Sequence, residues 1–444
     1  MCGLSLAING EAHEVVTMGN AIKHRGNRHG VTHVGNIRVF FSQLAITDQH
    51  APAQPYISGK YYVWLNGYVS NYKELAEKYG IKMWTNCDTQ VLADFINLTG
   101  FEQLNELNGF FSIVVWDGGK THFFTDRYGI KQLYQYKVGE TTYVCSEIKG
   151  IKALFDLDLD EEAVADWKYS LGVMSETVYK GITRVPSLPF PKPENIDISY
   201  NAAFVKLNYL LGKAFERNRT TVKSGVFLSG GVDSGLIAKK IKPDYSFSMD
   251  YQDDSYSEYA NIKVNSTGTH YTMICNKELA DRYAPKACEA LDDLKVGSCY
   301  TNFALTELAS KFCTVLYSGA GGDELFYGYT HRYDKLINQV IRRTESEGRD
   351  YDITHEEYDW LYLRGILVVE DRMAGYQCME TRYPFLDNDL VDFVLSLPKE
   401  YRFNKRILKD VSGLPDQITQ GRKRGFSNPY FTNSEWVQFC LDRL

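Results

Sequence analysis

Gly225-Val-Phe-Leu-Ser-Gly-Gly-Val-Asp-Ser-Gly-Leu-Ile237 is the stretch on which the reading of the fold turns. Gly225–Leu228 reads as a short buried strand, and Leu236, Ile237 and Ile241 put an apolar stripe on a helix behind it. Between the two lies Ser229-Gly-Gly-Val-Asp-Ser234, whose glycines let successive backbone N–H groups converge on an anion at a helix N-terminus. It is not a Walker A loop, because no Gly-Lys-Ser/Thr follows at the required spacing. The loop suits ATP cut between its α- and β-phosphates. Ser229, Gly230, Gly231 and Ser234 would cradle pyrophosphate, and Asp233 would hold Mg2+. A second apolar run, Thr314–Ser318, enters Ser318-Gly-Ala-Gly-Gly-Asp-Glu324, where Asp323 offers the metal another carboxylate. Strands alternating with helices predict a parallel sheet that binds ligands at the strands' carboxyl ends.

Upstream, Phe204, Leu207, Leu210, Leu211 and Phe215 form one helical face. Before them, Pro186-Ser-Leu-Pro-Phe-Pro-Lys-Pro193 packs four prolines into eight positions, which neither a central strand nor a helix accommodates. The domain boundary is placed there, with one domain over 2–190 and the other over 200–444. The first half reads as an α+β sandwich. Ile37–Phe41, Tyr61–Leu65, Phe110–Trp116 and Thr141–Cys145 are strand-like, while Val91, Leu92, Phe95 and Ile96 have helical spacing. The last third reads as helical and charged. Runs such as Asn404-Lys-Arg-Ile-Leu-Lys409 are expected to be solvated helix faces.

Composition bounds the rest. The chain has 444 residues, which allows two or three domains, and 49 basic against 56 acidic residues leave a net charge of −7. That balance argues against broad nucleic-acid binding. No apolar run approaches a membrane span, and no secretory signal is expected. The nine cysteines form no CxxC pair. They read as reduced thiols of a cytoplasmic protein, with zinc unexpected.

Cys2 is the second chemical signal. Removal of Met1 would leave a cysteine whose own α-amine, with an ordinary pKa of about 7.7–8.0, can serve as the thiol's base. Leu65-Asn66-Gly67 is expected to follow a strand and to offer an amide and a backbone N–H as an oxyanion hole. Asp88 could hold a substrate ammonium.

With these residues in view the chain resembles the glutamine-hydrolysing asparagine synthetase family over nearly its whole length. The resemblance is carried by MCGLSLAING, HRGN, AQP, LNGYVSNYKEL, NCDTQVL, LNGFFSIVVWD, DRYGIKQLY, CSEIKGIKAL, LSGGVDS, SGAGGDELFYGY, ETRYPFLDNDLVDFVLSLP and RKRGF. It implies an N-terminal-nucleophile glutaminase sandwich (αββα), followed by an α/β ATP-pyrophosphatase domain with a helical C-terminal part. It also implies the chemistry: ammonia freed from glutamine at the first site crosses to an acyl-adenylate at the second. By the same resemblance Cys2 is the nucleophile, Asn66 and Gly67 the oxyanion hole, and Asp88 the glutamine-amine contact. Leu228, Met249, Ser318 and Gly319 contact the nucleotide, Asp233 and Asp323 bind Mg2+, and Lys423 neutralises phosphate charge. The implied substrates are glutamine, ATP and a carboxylate, aspartate first among them; the assembly stays open, a homodimer being one possibility.

Three positions depart from the family pattern. Gln43 stands where an arginine would fork onto the glutamine carboxylate, and Tyr68 replaces the acidic residue of NGE, altering the glutamine-binding set. Ala320 replaces an acidic residue linked to adenylate formation. Two alternatives stay open at this point: a different carboxylate acceptor, and a nucleotide-binding protein with degraded catalysis. Arg25 and Arg28 are candidates to stand in for the missing arginine.

Overall fold

The computed structural model describes residues 1–170, 177–190, 193–251, 262, 268–295, 299–329, 355–421 and 430–444. The first half contributes β1 (Gly3–Ile8), β2 (Arg28–Val34), β3 (Ile37–Gln43), β4 (Tyr56–Ser58) and β5 (Tyr61–Val69). It continues with β6 (Gly109–Trp116), β7 (Thr121–Thr125), β8 (Tyr134–Val138), β9 (Thr141–Cys145) and β10 (Thr183–Arg184). The second half adds β11 (Ser224–Phe227), β12 (Tyr245–Asp250), β13 (Thr269–Ile274), β14 (Val315–Tyr317) and β15 (Glu380–Arg382).

Two antiparallel sheets form the first half, ordered β10-β8-β9-β1-β3-β2 and β4-β5-β6-β7. Side chains alternate across a strand, and here both faces are apolar. Leu4, Leu6, Val39 and Phe41 face Trp64 and Val114 of the other sheet in one core. On the opposite faces, Ala7 and Phe40 meet Val15, Met18 and Ile22 at helix Ala12–Ala21. Val63, Leu65, Ile113 and Val115 likewise meet Leu75, Val91, Leu92, Phe95 and Ile96 on helices Tyr72–Tyr79 and Asp88–Thr99. Helix, sheet, sheet, helix is therefore the layer order. The N-terminal-nucleophile sandwich is present.

The second half is a parallel sheet in the order β13-β12-β11-β14-β15. Succession runs one way from β11 to β13 and the other way from β14 to β15. The order therefore switches between β11 and β14, and loops leaving their carboxyl ends open onto a crevice. Val226 pairs with Tyr317, so the two glycine loops emerge side by side. Helix Tyr200–Asn218, N-capped by the Ser199 hydroxyl accepting from Ala202 N–H, covers one face through Ala203, Leu207, Leu210, Leu211 and Phe215.

The structure corrects three expectations. Asn66 and Gly67 do not follow a strand; they lie inside β5, paired with Ser112 and Phe111. Pairing continues through Gly67 because its φ of +124° admits the close approach, where a Cβ would stand 2.0 Å from the Phe110 carbonyl oxygen. The Asn404–Lys409 run is not a solvated face, since Lys405, Ile407 and Leu408 are buried. β15 lies in the region expected to be helical, where three residues are too few to show a period.

Candidate active sites

The segment leaving β1 backwards brings Cys2 into the core between the two sheets, where it is 7% exposed. The Leu44 amide donates to its Sγ at 3.4 Å, and Arg25 Nε donates to its carbonyl oxygen at 2.9 Å. Burial pushes the thiol's pKa up, the Met1 α-amine pulls it down, and the carboxylates of Glu380 and Asp88 push it up again. Asp88 is thus an electrostatic neighbour of Cys2. Its Oδ2 accepts from Val69 N–H and its Oδ1 from Thr89 N–H, both at 3.0 Å, and burial raises it to about 6. Asn66 is buried; its Nδ2 donates to Ser112 Oγ at 3.2 Å, while its Oδ1 has no hydrogen-bond partner. A buried amide with one end unsatisfied is a place where a polar substrate atom gains a full hydrogen bond.

Gln43 ends β3, 5% exposed, and stands directly opposite Arg28 on β2. Opposed residues of an antiparallel pair share a face, with Cβ atoms about 5 Å apart. Arg28 donates to the Ala51 and Gln49 carbonyls. Arg25 is committed elsewhere, to Glu147 at 2.6 Å and Asp371 at 3.0 Å. Tyr68 faces the second half of the chain. Its hydroxyl donates to the Arg217 carbonyl, and the Arg382 guanidinium lies 3.8 Å from its ring centroid. One positioning residue escaped the sequence reading although its motif was noted. Gln54 of AQP donates to the Leu65 carbonyl, accepts from Leu65 N–H and donates to Thr89, tying the strand of Asn66 to the helix of Asp88.

In the second half, Gly231 N-caps helix Val232–Ile241, and Gly230 takes φ +87°. Ser229 and Ser234 hydroxyls lie 3.1 Å apart, closing the loop on itself. Leu228 N–H donates to the Phe247 carbonyl, and Met249 sits in β12. The second loop packs onto the first through glycines. A Cβ at Gly319 would lie 3.0 Å from Asp233 Cβ, and one at Gly322 would lie 2.6 Å from Asp233 Cγ. That proximity is why this turn carries so many glycines. Ser318 is buried, its N–H donating to the Arg382 carbonyl.

Asp233 and Asp323 are brought together by a residue the sequence reading placed in solvent. The Lys405 ammonium contacts Asp233 Oδ2 and lies 2.7 Å from Asp323 Oδ1. Asn404 and Lys405 take φ of +53° and +57°, a left-handed pair that turns the lysine inward. Two carboxylates facing one cation fit magnesium, which uses one or two protein carboxylates and fills its shell with phosphate oxygens and water. Among the described residues no cluster of three or more potential metal ligands exists. Lys423 lies outside the described residues.

A buried ionic junction joins the halves. Asp371 receives Arg25 and Lys131, the latter at 2.6 Å, and Glu147 receives Arg25 and lies 3.3 Å from Arg372. The Met1 amine donates to the Met379 carbonyl, and its sulfur lies against Arg25 and Lys131. Asn108 and Asp387 pair on the other side.

Comparison with known proteins settles the relationship. A glutamine amidotransferase domain model matches residues 1–194, and an asparagine synthase model matches 206–356 and 351–440, over half the chain. The chain belongs to the asparagine synthase family. Among curated relatives, a putative asparagine synthetase (glutamine-hydrolyzing) 2 of Methanocaldococcus jannaschii is 29% identical, over 63% of this chain and 61% of that one. Asparagine synthetase (glutamine-hydrolyzing) 1 of Bacillus subtilis is 28% identical over 78% and 62%, and the Gallus gallus enzyme 27% identical over 100% and 87%. The match thus spans about three fifths of the first relative and most of the avian one. No helix among the described residues is long and apolar enough to cross a membrane.

Proposed function

We propose that this asparagine synthase family member is an ATP-dependent carbon–nitrogen ligase. It adenylates a carboxylate, aspartate first among candidates, and converts it to the amide with ammonia taken from glutamine. The observation that carries this reading is the meeting of two glycine loops at the sheet's switch point, with Asp233 and Asp323 facing one cation.

In the proposed scheme Cys2, once Met1 is removed, attacks the glutamine amide with its own amine as base. The Asn66 amide and Gly67 N–H receive the developing oxyanion. Asp88 holds the glutamine ammonium, and Arg28, beside Gln43 on the neighbouring strand, supplies the cation for its carboxylate. Arg25 is unsuited to that task because two carboxylates already neutralise it. In the second site Leu228, Met249, Ser318 and Gly319 contact the nucleotide. Ser229, Gly230, Gly231 and Ser234 hold pyrophosphate. Asp233 and Asp323 would hold Mg2+, which supplies charge neutralisation on the phosphates. Lys405 stands at the same carboxylates and moves onto phosphate when ATP enters, alongside Lys423. A cytoplasmic enzyme acting on small molecules, without nucleic acid and assembling as a homodimer, completes the reading.

Ala320 favours a second reading of the acceptor, a larger carboxylate, because the methyl leaves room where the family carries an acid. Pyrophosphate release from Mg-ATP with a panel of carboxylates, each with glutamine or ammonium, tests both. Release that depends on aspartate supports asparagine synthesis. Release with another carboxylate moves the acceptor, and none with any carboxylate refutes the ligase.

A further inference from the structure

The second glycine loop lacks an acid at position 320, yet a carboxyl reaches the loop from outside it. Glu370, on helix His355–Tyr376, accepts a hydrogen bond from the Ser318 hydroxyl at 3.0 Å. Ser318 Oγ in turn accepts from Ala320 N–H at 3.2 Å, so Glu370, Ser318 and the backbone of residue 320 form one chain. The other carboxyls of the loop are committed. Glu324 accepts from Gly321 N–H at 3.1 Å and from the Tyr329 hydroxyl at 2.9 Å, and Asp323 faces Lys405. Glu370 differs from both. It is 8% exposed, and its Oε2 is buried with no well-formed hydrogen bond. Two hydroxyls bear on the carboxyl: Ser318 donates to Oε1, while Tyr383 stands close without completing a hydrogen bond of its own. A buried carboxyl with a spare oxygen is costly to keep unless something uses it.

We propose that Glu370, acting through Ser318, is the proton acceptor for amide formation. This rests on the ligase reading above. In the step, the ammonia nitrogen bonds to the acyl carbon, and the bond from that carbon to the AMP oxygen breaks, its electron pair leaving with AMP. The nitrogen gives up one proton to Ser318 Oγ while the Ser318 hydroxyl proton passes to Glu370, so one proton moves from nitrogen to carboxylate. Glu370 is a positioning residue in this scheme, since only Ser318 meets the reacting atoms. Burial raises its carboxyl to about 7, near the value that suits a base working at neutral pH.

The test compares wild type, Glu370→Gln and Glu370→Asp in three assays on the full chain: glutamine hydrolysis, carboxylate-dependent ATP–pyrophosphate exchange, and amide formation. Glutamine hydrolysis is the control for folding. The expected result is that Glu370→Gln retains hydrolysis and exchange but loses amide formation by about a hundredfold or more. The limb of the wild-type amide pH profile that rises through neutrality disappears in Glu370→Gln, and Glu370→Asp recovers part of the rate. Amide formation by Glu370→Gln at the wild-type rate and pH profile overturns the proposal alone. Equal loss in all three assays marks a structural role and overturns it too. A wild type without carboxylate-dependent exchange overturns the ligase reading, and this proposal with it.

Discussion

Asp88 carries two opposed influences: burial lifts its carboxyl to about 6, while the Val69 and Thr89 amides favour its charged form. Only the carboxylate attracts an ammonium. The free enzyme's kcat/KM for glutamine should therefore carry, besides the limb set by the Cys2 amine acting as base, a further fall as pH drops through about 6. Asp88→Asn should remove the fall and raise KM, since a hydrogen bond to a charged group is worth about 1.5–3 kcal/mol. A pH series of glutamine hydrolysis checks both. The other end of glutamine depends on the pair Arg28 and Gln43. Arg28→Ala should weaken glutamine by a similar energy. Adding Gln43→Arg should restore it, because the two positions share one face of β2 and β3. Tight glutamine binding by Arg28→Ala alone would place the carboxylate elsewhere.

At the scale of elements, the second glycine loop is held against the first by the absence of side chains. Gly322→Ala would set a methyl 2.6 Å from Asp233 Cγ, so one of the two loops must shift. Overpacking of this kind costs about 1–3 kcal/mol. The expected result is at least tenfold slower carboxylate-dependent pyrophosphate release with unchanged glutamine hydrolysis, measured on the same preparation. These loops were legible in the sequence because glycine has few other reasons to cluster after a strand. The strands of the first half were legible because β-branched and aromatic residues mark them, with turn residues between. Other elements were hidden by physics rather than by oversight. β15 is three residues long. Asn404 and Lys405 adopt left-handed backbone without a glycine to announce it, so a charge run at helical spacing concealed the buried lysine. The Asn66–Gly67 pair looked like a turn, because the sequence cannot show that a partner strand accommodates Gly67 at φ +124°.

Across the whole molecule, the halves meet through charge buried out of water. Asp371 neutralises both Arg25 and Lys131, which are each 1% exposed. Asp371→Asn leaves two buried cations short of an anion, and breaking a buried pair in this way costs about 3–5 kcal/mol. A lowered Tm is expected. Because Arg25 also holds the Cys2 carbonyl and Asp371 neighbours Glu370, the variant should also form more than one glutamate per amide, against a ratio near one in the wild type. Simultaneous assay of glutamate and amide reads that coupling.

The two-centre account stands most directly on Cys2. Cys2→Ala removes the one thiol assigned to glutamine and touches none of the residues assigned to ATP. Steady-state amide formation by the variant, measured with glutamine and with ammonium as alternative nitrogen donors, is the decisive comparison. The account predicts that turnover with glutamine vanishes while turnover with ammonium stays within a few-fold of wild type. Equal loss with both donors, or undiminished turnover with glutamine, would contradict it.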